Sequence, residues 1–236
     1  MEFDFSIKQE ELAKIQDILK NPKQRKILID GNIGAGKTTL IKLLEKYYNS
    51  NGIKTKAILE PVDVWRDTGA LQYFYDNIPE HSYEFQTMTF ITRIRRIMEE
   101  ILKCPDAEVY LLERHIWSDR YIFAELLKEQ FGVVRNKMYE MWWDMWSIML
   151  PIEPREWVLL DTSVEIAFNR IAIRNRGEEK SGVSKEYLEQ LFNKHQDFYK
   201  SLFDKNEKVK IVSSELMEKD FINNSNNLQI IAKFII

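Results

Sequence analysis

Lys26-Ile27-Leu28-Ile29-Asp30-Gly31-Asn32-Ile33-Gly34-Ala35-Gly36-Lys37-Thr38-Thr39, KILIDGNIGAGKTT, is the stretch whose reading decides the fold. The apolar run Ile27 to Asp30 predicts a strand, and the segment Lys37 to Tyr48 predicts a helix. Between them, Gly31 to Thr38 fits the pattern G-x-x-x-x-G-K-[ST]. Glycines let such a loop curl until its N–H groups converge on a phosphate, and the helix N-terminus adds its dipole. The candidate ATP-binding residues are therefore Gly31, Asn32, Ile33, Gly34, Ala35, Gly36, Lys37, Thr38 and Thr39. Lys37 is placed to reach the β- and γ-phosphates, and the Thr38 hydroxyl to hold Mg²⁺. A glycine-rich turn without a ligand would need neither the strand before it nor the helix after it, so the chain is read as binding a nucleotide.

Composition narrows the class. At 236 residues, with 44% hydrophobic and 30% charged side chains, the chain suits one α/β domain over residues 1–236. A net charge of −3 advertises no surface for polyanions, which excludes nucleic acid as an expected partner. Cys104 is the single cysteine, so no disulfide framework or thiolate metal cluster is expected and a reducing setting is. MEFDFSIKQEEL shows neither a signal-peptide core nor a transit pattern, and no apolar run reaches membrane-spanning length. The expectation is a cytoplasmic protein with no membrane partner.

Apolar positions at helical spacing from Ser6 to Lys20 predict an extra N-terminal helix within residues 1–22, closed by Asn21-Pro22. Further strands are predicted at Lys56 to Glu60, Val109 to Leu112, Trp157 to Leu160 and Val209 to Val212, with helical stretches between every pair, including Gln86 to Lys103. That alternation predicts a five-stranded parallel sheet with helices on both faces, which with the phosphate loop is the P-loop α/β architecture; the resemblance given below implies its kinase form. Sites in such sheets lie beyond the carboxyl ends of the strands, which directs attention to Glu60, Glu113-Arg114 and Asp161-Thr162. Glu113 would supply the second Mg²⁺ anchor beside the loop. Arg170, Arg174 and Arg176 form a cluster suited to phosphate oxygens, read as a lid over about 170–182. The tryptophan-rich segment YEMWWDMWSIML (139–150) reads as core and dimer packing, and Asn223 to Asn227 as a surface turn.

Taken together, GNIGAGKTT (31–39), LEPVDVW (59–65), LQYFYD with Tyr75, FQTMTFITRIR (85–95), ERHIWSDRYIF (113–123) and RNRGEE (174–179) resemble the deoxyribonucleoside kinase family. The resemblance covers nearly everything after residue 25 and rests on the joint order of pieces that are individually weak, the phosphate loop apart. It implies a homodimer that uses Mg-ATP to phosphorylate the 5′-hydroxyl of a deoxynucleoside. Glu60 looks like the carboxylate that takes the hydroxyl proton, with Glu113 the other candidate, and Arg114 like the residue that orients Glu60 and the 5′-oxygen. Trp65, Phe85 and Phe123 resemble the aromatic walls around sugar and base, and Tyr75 and Glu179 the pair on the 3′-hydroxyl. Gln86 resembles the amide that reads the base edge, with Arg93 and Asp119 behind it. Gln86, Thr89 and Arg93 also fall at helical spacing on one face, which places all three among the substrate-binding candidates. A carboxylate and a guanidinium of fixed polarity there favour a base with an exocyclic amine, deoxycytidine or a purine deoxynucleoside over thymidine. His115 stands where the family carries Ser, and Asn175 where glycine is common.

Two other functions fit the phosphate loop. A thymidylate-type monophosphate kinase would want a cation near the end of strand two, where this chain has Leu59-Glu60. A non-catalytic nucleotide sensor would not need Glu60, Glu113, Arg114 and the arginine cluster together.

Overall fold

The computed structural model describes residues 9–149, 156–174, 183–219 and 222–236. Its strands are β1 (Arg25–Gly31), β2 (Thr55–Ile58), β3 (Val109–Glu113), β4 (Glu156–Leu160) and β5 (Val209–Val212). They form one sheet in the order β2-β3-β1-β4-β5, and every pairing is parallel. This is the predicted P-loop kinase architecture, with each strand within a few residues of its expected place.

The three middle strands are buried along almost their whole length, as continuous apolar runs require when both faces of a parallel sheet are covered. Their side chains alternate between two cores. Leu28, Tyr110, Leu112, Trp157 and Leu159 face one, packed by α1 (Gln9–Lys20), α5 (Ile78–Lys103) and α9 (Lys185–Asp204). Ile27, Ile29, Leu111, Val158 and Leu160 face the other, against α2 (Lys37–Ser50) and α11 (Ser225–Ile235). The remaining helices are α3 (Val62–Asp67), α4 (Ala70–Asp76), α6 (Ile116–Ser118) followed by a π-helical turn Asp119–Ala124, α7 (Glu125–Met149), α8 (Val164–Arg174) and α10 (Ser214–Glu218).

Boundaries moved where caps decide them. The helix expected from Gln86 starts at Ile78, because the Asn77 side chain accepts from the Glu80 N–H and Pro79 suits the first turn. The asparagine run expected as a turn is partly a cap: Asn224 accepts from the N–H groups of Asn226 and Asn227 and opens α11. Strand β2 stops at Ile58, so Glu60 lies just beyond the sheet. Residues 1–8 of the N-terminal segment lie outside the described residues. Among the described residues, no helix is long and apolar enough to cross a membrane.

Candidate active site

Beyond the carboxyl ends of β1, β2 and β3 lies a cavity of about 570 Å³ that runs from the phosphate loop to a slot of aromatic side chains. The loop closes tightly on its neighbours. A Cβ at Gly34 would sit 2.4 Å from the Ala167 carbonyl oxygen of α8, with φ at +79°, so only glycine fits. Lys37 is buried, and its ammonium donates to the carbonyls of Gly31 (3.1 Å) and Asn32 (2.8 Å). Burial, then the Arg114 charge, lowers its pKa to about 8. Ile33, Gly34, Gly36, Lys37, Thr38 and Thr39 line the cavity. Gly31, Asn32 and Ala35 do not. Ala35 is core, and the Asn32 amide donates to Leu188 O of α9 at 2.9 Å.

The next ring of groups is carboxylates and guanidiniums. Thr38 Oγ1 donates to Glu113 Oε1 at 2.6 Å, where β3 ends beside the loop. Glu60 Oε1 accepts from Arg93 Nη2 and is ion-paired with Arg114 Nε, each at 2.9 Å. Its Oε2 is left without a partner among the described residues. The two carboxylates titrate in opposite senses. Burial raises both, but around Glu60 it is outweighed by Arg114, Arg93 and Lys37, which bring its pKa down to about 2. Glu113 is raised, by burial and by the charge of Glu60. Arg93 also forks onto Asp119 (Nε–Oδ2 2.7 Å, Nη2–Oδ1 2.9 Å) and donates to Glu113 O at 3.1 Å. It therefore ties the expected base-reading pair directly to Glu60, a link the spacing did not suggest. Lys37, Arg93 and Arg114 together face four buried or nearly buried carboxylates, Asp30, Glu60, Glu113 and Asp119.

Arg114 has a left-handed backbone, φ 62°, rare for a side chain of its size. Its guanidinium stacks on the Phe123 ring, 4.5 Å away, and Nη1 lies 3.3 Å from Asp30 Oδ1. Asp30 is fully buried, accepts from Ser118 Oγ and from the Gly31 N–H, and is held well below the usual carboxylate range: burial opposes this, and Arg114 and His195 outweigh it. Asp30, Ser118 and His195 were not anticipated. His115, where the family carries Ser, caps α6: its Nδ1 accepts from the Trp117 N–H, so the imidazole replaces the bond a serine hydroxyl would make.

The slot is aromatic, as expected, with additions. Trp65 meets the Phe85 ring edge to face, and Phe85 stacks on Phe74 at 4.5 Å. Phe74 was missed, as were Leu71 and Tyr187, which also line the slot. Trp65 is pinned by its Nε1 donating to Thr92 at 2.9 Å. Tyr75, Gln86 and Thr89 line the cavity with Phe85 and Phe123. The Thr89 hydroxyl is turned back onto Gln86 O at 2.9 Å, so its donor is spent on the helix itself. On the opposite flank Arg170 and Arg174 both line the cavity, and Arg170 also donates to Ala35 O (3.0 Å) and Met217 O (2.5 Å), which braces the loop. Arg176, Asn175 and Glu179 lie outside the described residues.

Residues 27–235 match the family model for deoxynucleoside kinase. Among curated proteins, the chain is 34% identical over 197 residues to deoxycytidine kinase 2 of Gallus gallus, covering 73% of this chain and 72% of that one. It is 31% identical to a probable deoxycytidine kinase of fowlpox virus (91% and 88% covered) and 30% identical to a mitochondrial deoxyguanosine kinase of Xenopus laevis (87% and 86%). The match begins inside β1, ends in the last turn of α11 and takes in every wall of the cavity, and on that ground the chain belongs to the deoxynucleoside kinase family.

Proposed function

We propose that this ATP-dependent deoxynucleoside kinase transfers the γ-phosphate to the 5′-hydroxyl of deoxycytidine or a purine deoxynucleoside in preference to thymidine. The observation that carries the reading is Glu60: its Oε1 is clamped by two guanidiniums, and the residue lines a cavity walled by aromatic rings. A carboxylate so placed can accept a hydrogen bond from a neutral hydroxyl and would repel an acceptor phosphate, which disfavours a monophosphate substrate. The nearby cations cannot reverse that, because Asp30, Glu60 and Asp119 already balance them.

In the proposed mechanism the nucleoside slides between Trp65 and Phe123, with Gln86 against the base edge and Tyr75 near the sugar. Glu60 is ionised at neutral pH. It orients the 5′-oxygen and takes its proton as the bond to phosphorus forms, with Arg114 holding the carboxylate in line. A loose transfer needs alignment and charge neutralisation more than a strong base, so a low pKa at Glu60 is compatible with this role. Lys37 and the loop N–H groups fix the donor phosphates, with Arg170, Arg174 and Arg176 on the donor flank and Glu179 with Tyr75 at the 3′-hydroxyl. Thr38 and Glu113 suit Mg²⁺, being adjacent hard oxygens in a site with surplus negative charge, and the ion would supply neutralisation of the phosphate oxygens.

The relatives named deoxycytidine and deoxyguanosine kinases support the base preference, as does the Arg93–Asp119 fork. Met138, Met141, Trp142, Met145 and Ile148 make an exposed apolar stripe on α7, which with the family membership supports a homodimer. The lone Cys104 suits a reducing, cytoplasmic setting. We read residues 1–236 as a single kinase domain with α1 added in front and a lid over about 170–182. A coupled assay of ADP formation with each deoxynucleoside and each monophosphate tests the reaction. Turnover confined to monophosphates would overturn it, and thymidine as best substrate would overturn the base preference alone.

A further inference from the structure

We propose that His195 is a positioning residue for phosphoryl transfer, acting through Arg114. The inference rests on the roles given above to Glu60 and Arg114. His195 is buried on α9 and does not line the cavity, so it touches no substrate. Its Nδ1 lies 2.7 Å from Leu191 O, one helical turn back. A carbonyl oxygen only accepts, so Nδ1 carries a proton. Nε2 stands between the arginine and its carboxylate, 3.4 Å from Arg114 Nη1 and 3.5 Å from Asp30 Oδ1.

The guanidinium of Arg114 is thereby fixed on every side. Its face rests on Phe123, Nε holds Glu60, and Nη1 is shared between Asp30 and His195. Asp30 cannot follow a drifting guanidinium, because Ser118 and the Gly31 N–H already hold both of its oxygens. The Phe123 ring stands at 88° to the imidazole, 6.1 Å away, so histidine also seats the surface on which Arg114 stacks. Through Leu188 O, which accepts from Asn32, the same helix holds the phosphate loop. One helix thus sets the relative position of the phosphate cradle and the acceptor-side arginine.

The test compares His195→Asn with His195→Gln in the full chain. The glutamine amide reaches about as far as Nε2 and can accept from Arg114, whereas the asparagine amide stops at the depth of Nδ1. We expect His195→Asn to lower kcat by about 10- to 100-fold, as misplacement of a catalytic group by an ångström does, with deoxynucleoside KM changed less than about threefold. His195→Gln should recover at least about fivefold of that loss at a similar melting temperature. Equal kcat in the two variants, or a change confined to KM, would overturn the role of His195. Glu60→Gln is measured alongside: if it leaves kcat intact, the underlying reading of Glu60 fails, whereas its collapse with matched histidine variants rejects His195 only.

Discussion

The main-chain N–H of Glu60 points at Glu113 Oε2 across 3.4 Å, so two carboxylates of opposite titration stand side by side at the ends of neighbouring strands. Environments that push paired groups apart assign them different work. Glu60, ionised and clamped, faces the acceptor. Glu113, buried beside Thr38, is the one whose charge is left wanting a cation.

Replacing Glu60 with Gln keeps the shape and removes the proton acceptor. Steady-state kinetics should show kcat lowered by about 10²- to 10⁴-fold with nucleoside KM little changed. A rise in KM alone would reduce Glu60 to a sugar-positioning group.

Lys37, lowered to about 8, should be restored to its charged form by donor phosphates. Binding that favours the protonated lysine raises its pKa, so near pH 8 ATP should carry in roughly half a proton per site. Calorimetry in buffers of different ionisation heat reads that number directly. Lys37→Met should bring it to zero, and a zero count in the parent would contradict the buried, depressed lysine.

The double change Arg93→Met with Asp119→Ala should raise thymidine use relative to deoxycytidine by about tenfold or more, since it removes a polar clash and opens room for a 5-methyl group. Arg93 also holds Glu60, so the absolute rate should fall for both substrates. The ratio of kcat/KM values is the informative quantity, and an unchanged ratio would remove the pair from base selection.

Glu156 offers a pH test outside the site. Burial pushes its pKa up, but bonds from Arg25 and Lys208 outweigh this and hold it at about 2. A folded pKa below the unfolded one gives stability that is complete above about 4.5 and lost as pH falls toward about 2. Glu156→Gln should therefore lower the unfolding free energy at neutral pH by roughly 1–2 kcal/mol after screening at its partly exposed partners, and flatten the acid limb. An acid limb as steep as the parent's would show that Glu156 is not among the groups that titrate there.

Much of this was legible beforehand because it depends on local pattern. The buried runs at Ile27 to Asp30, Val109 to Leu112 and Trp157 to Leu160 announce central strands, and glycine spacing announces the loop. Glu60, Glu113 and Arg114 were visible as charged residues just where strands stop. The supports behind them were not. Asp30 looks like an ordinary strand end until β3 brings Arg114 beside it and α9 delivers His195 from far along the chain. Phe74 looks like any apolar helix position until it stacks on Phe85. Arg170 carried a signal for phosphate and lines the cavity, but the two carbonyls its guanidinium also meets come from the loop and from α10, which its spacing could not show.

The strand order also governs when the molecule can be assembled. β1 is made first, yet among the described residues its sheet partners are β3 and β4, which begin at Val109 and Glu156. A nascent chain must therefore carry the loop on an apolar strand with no partner until β3 emerges and with one edge open until β4 does, and such non-local parallel pairing closes slowly. Firm capture of ATP consequently awaits β4, and a fragment ending before it would have the whole glycine motif on a strand with one edge open.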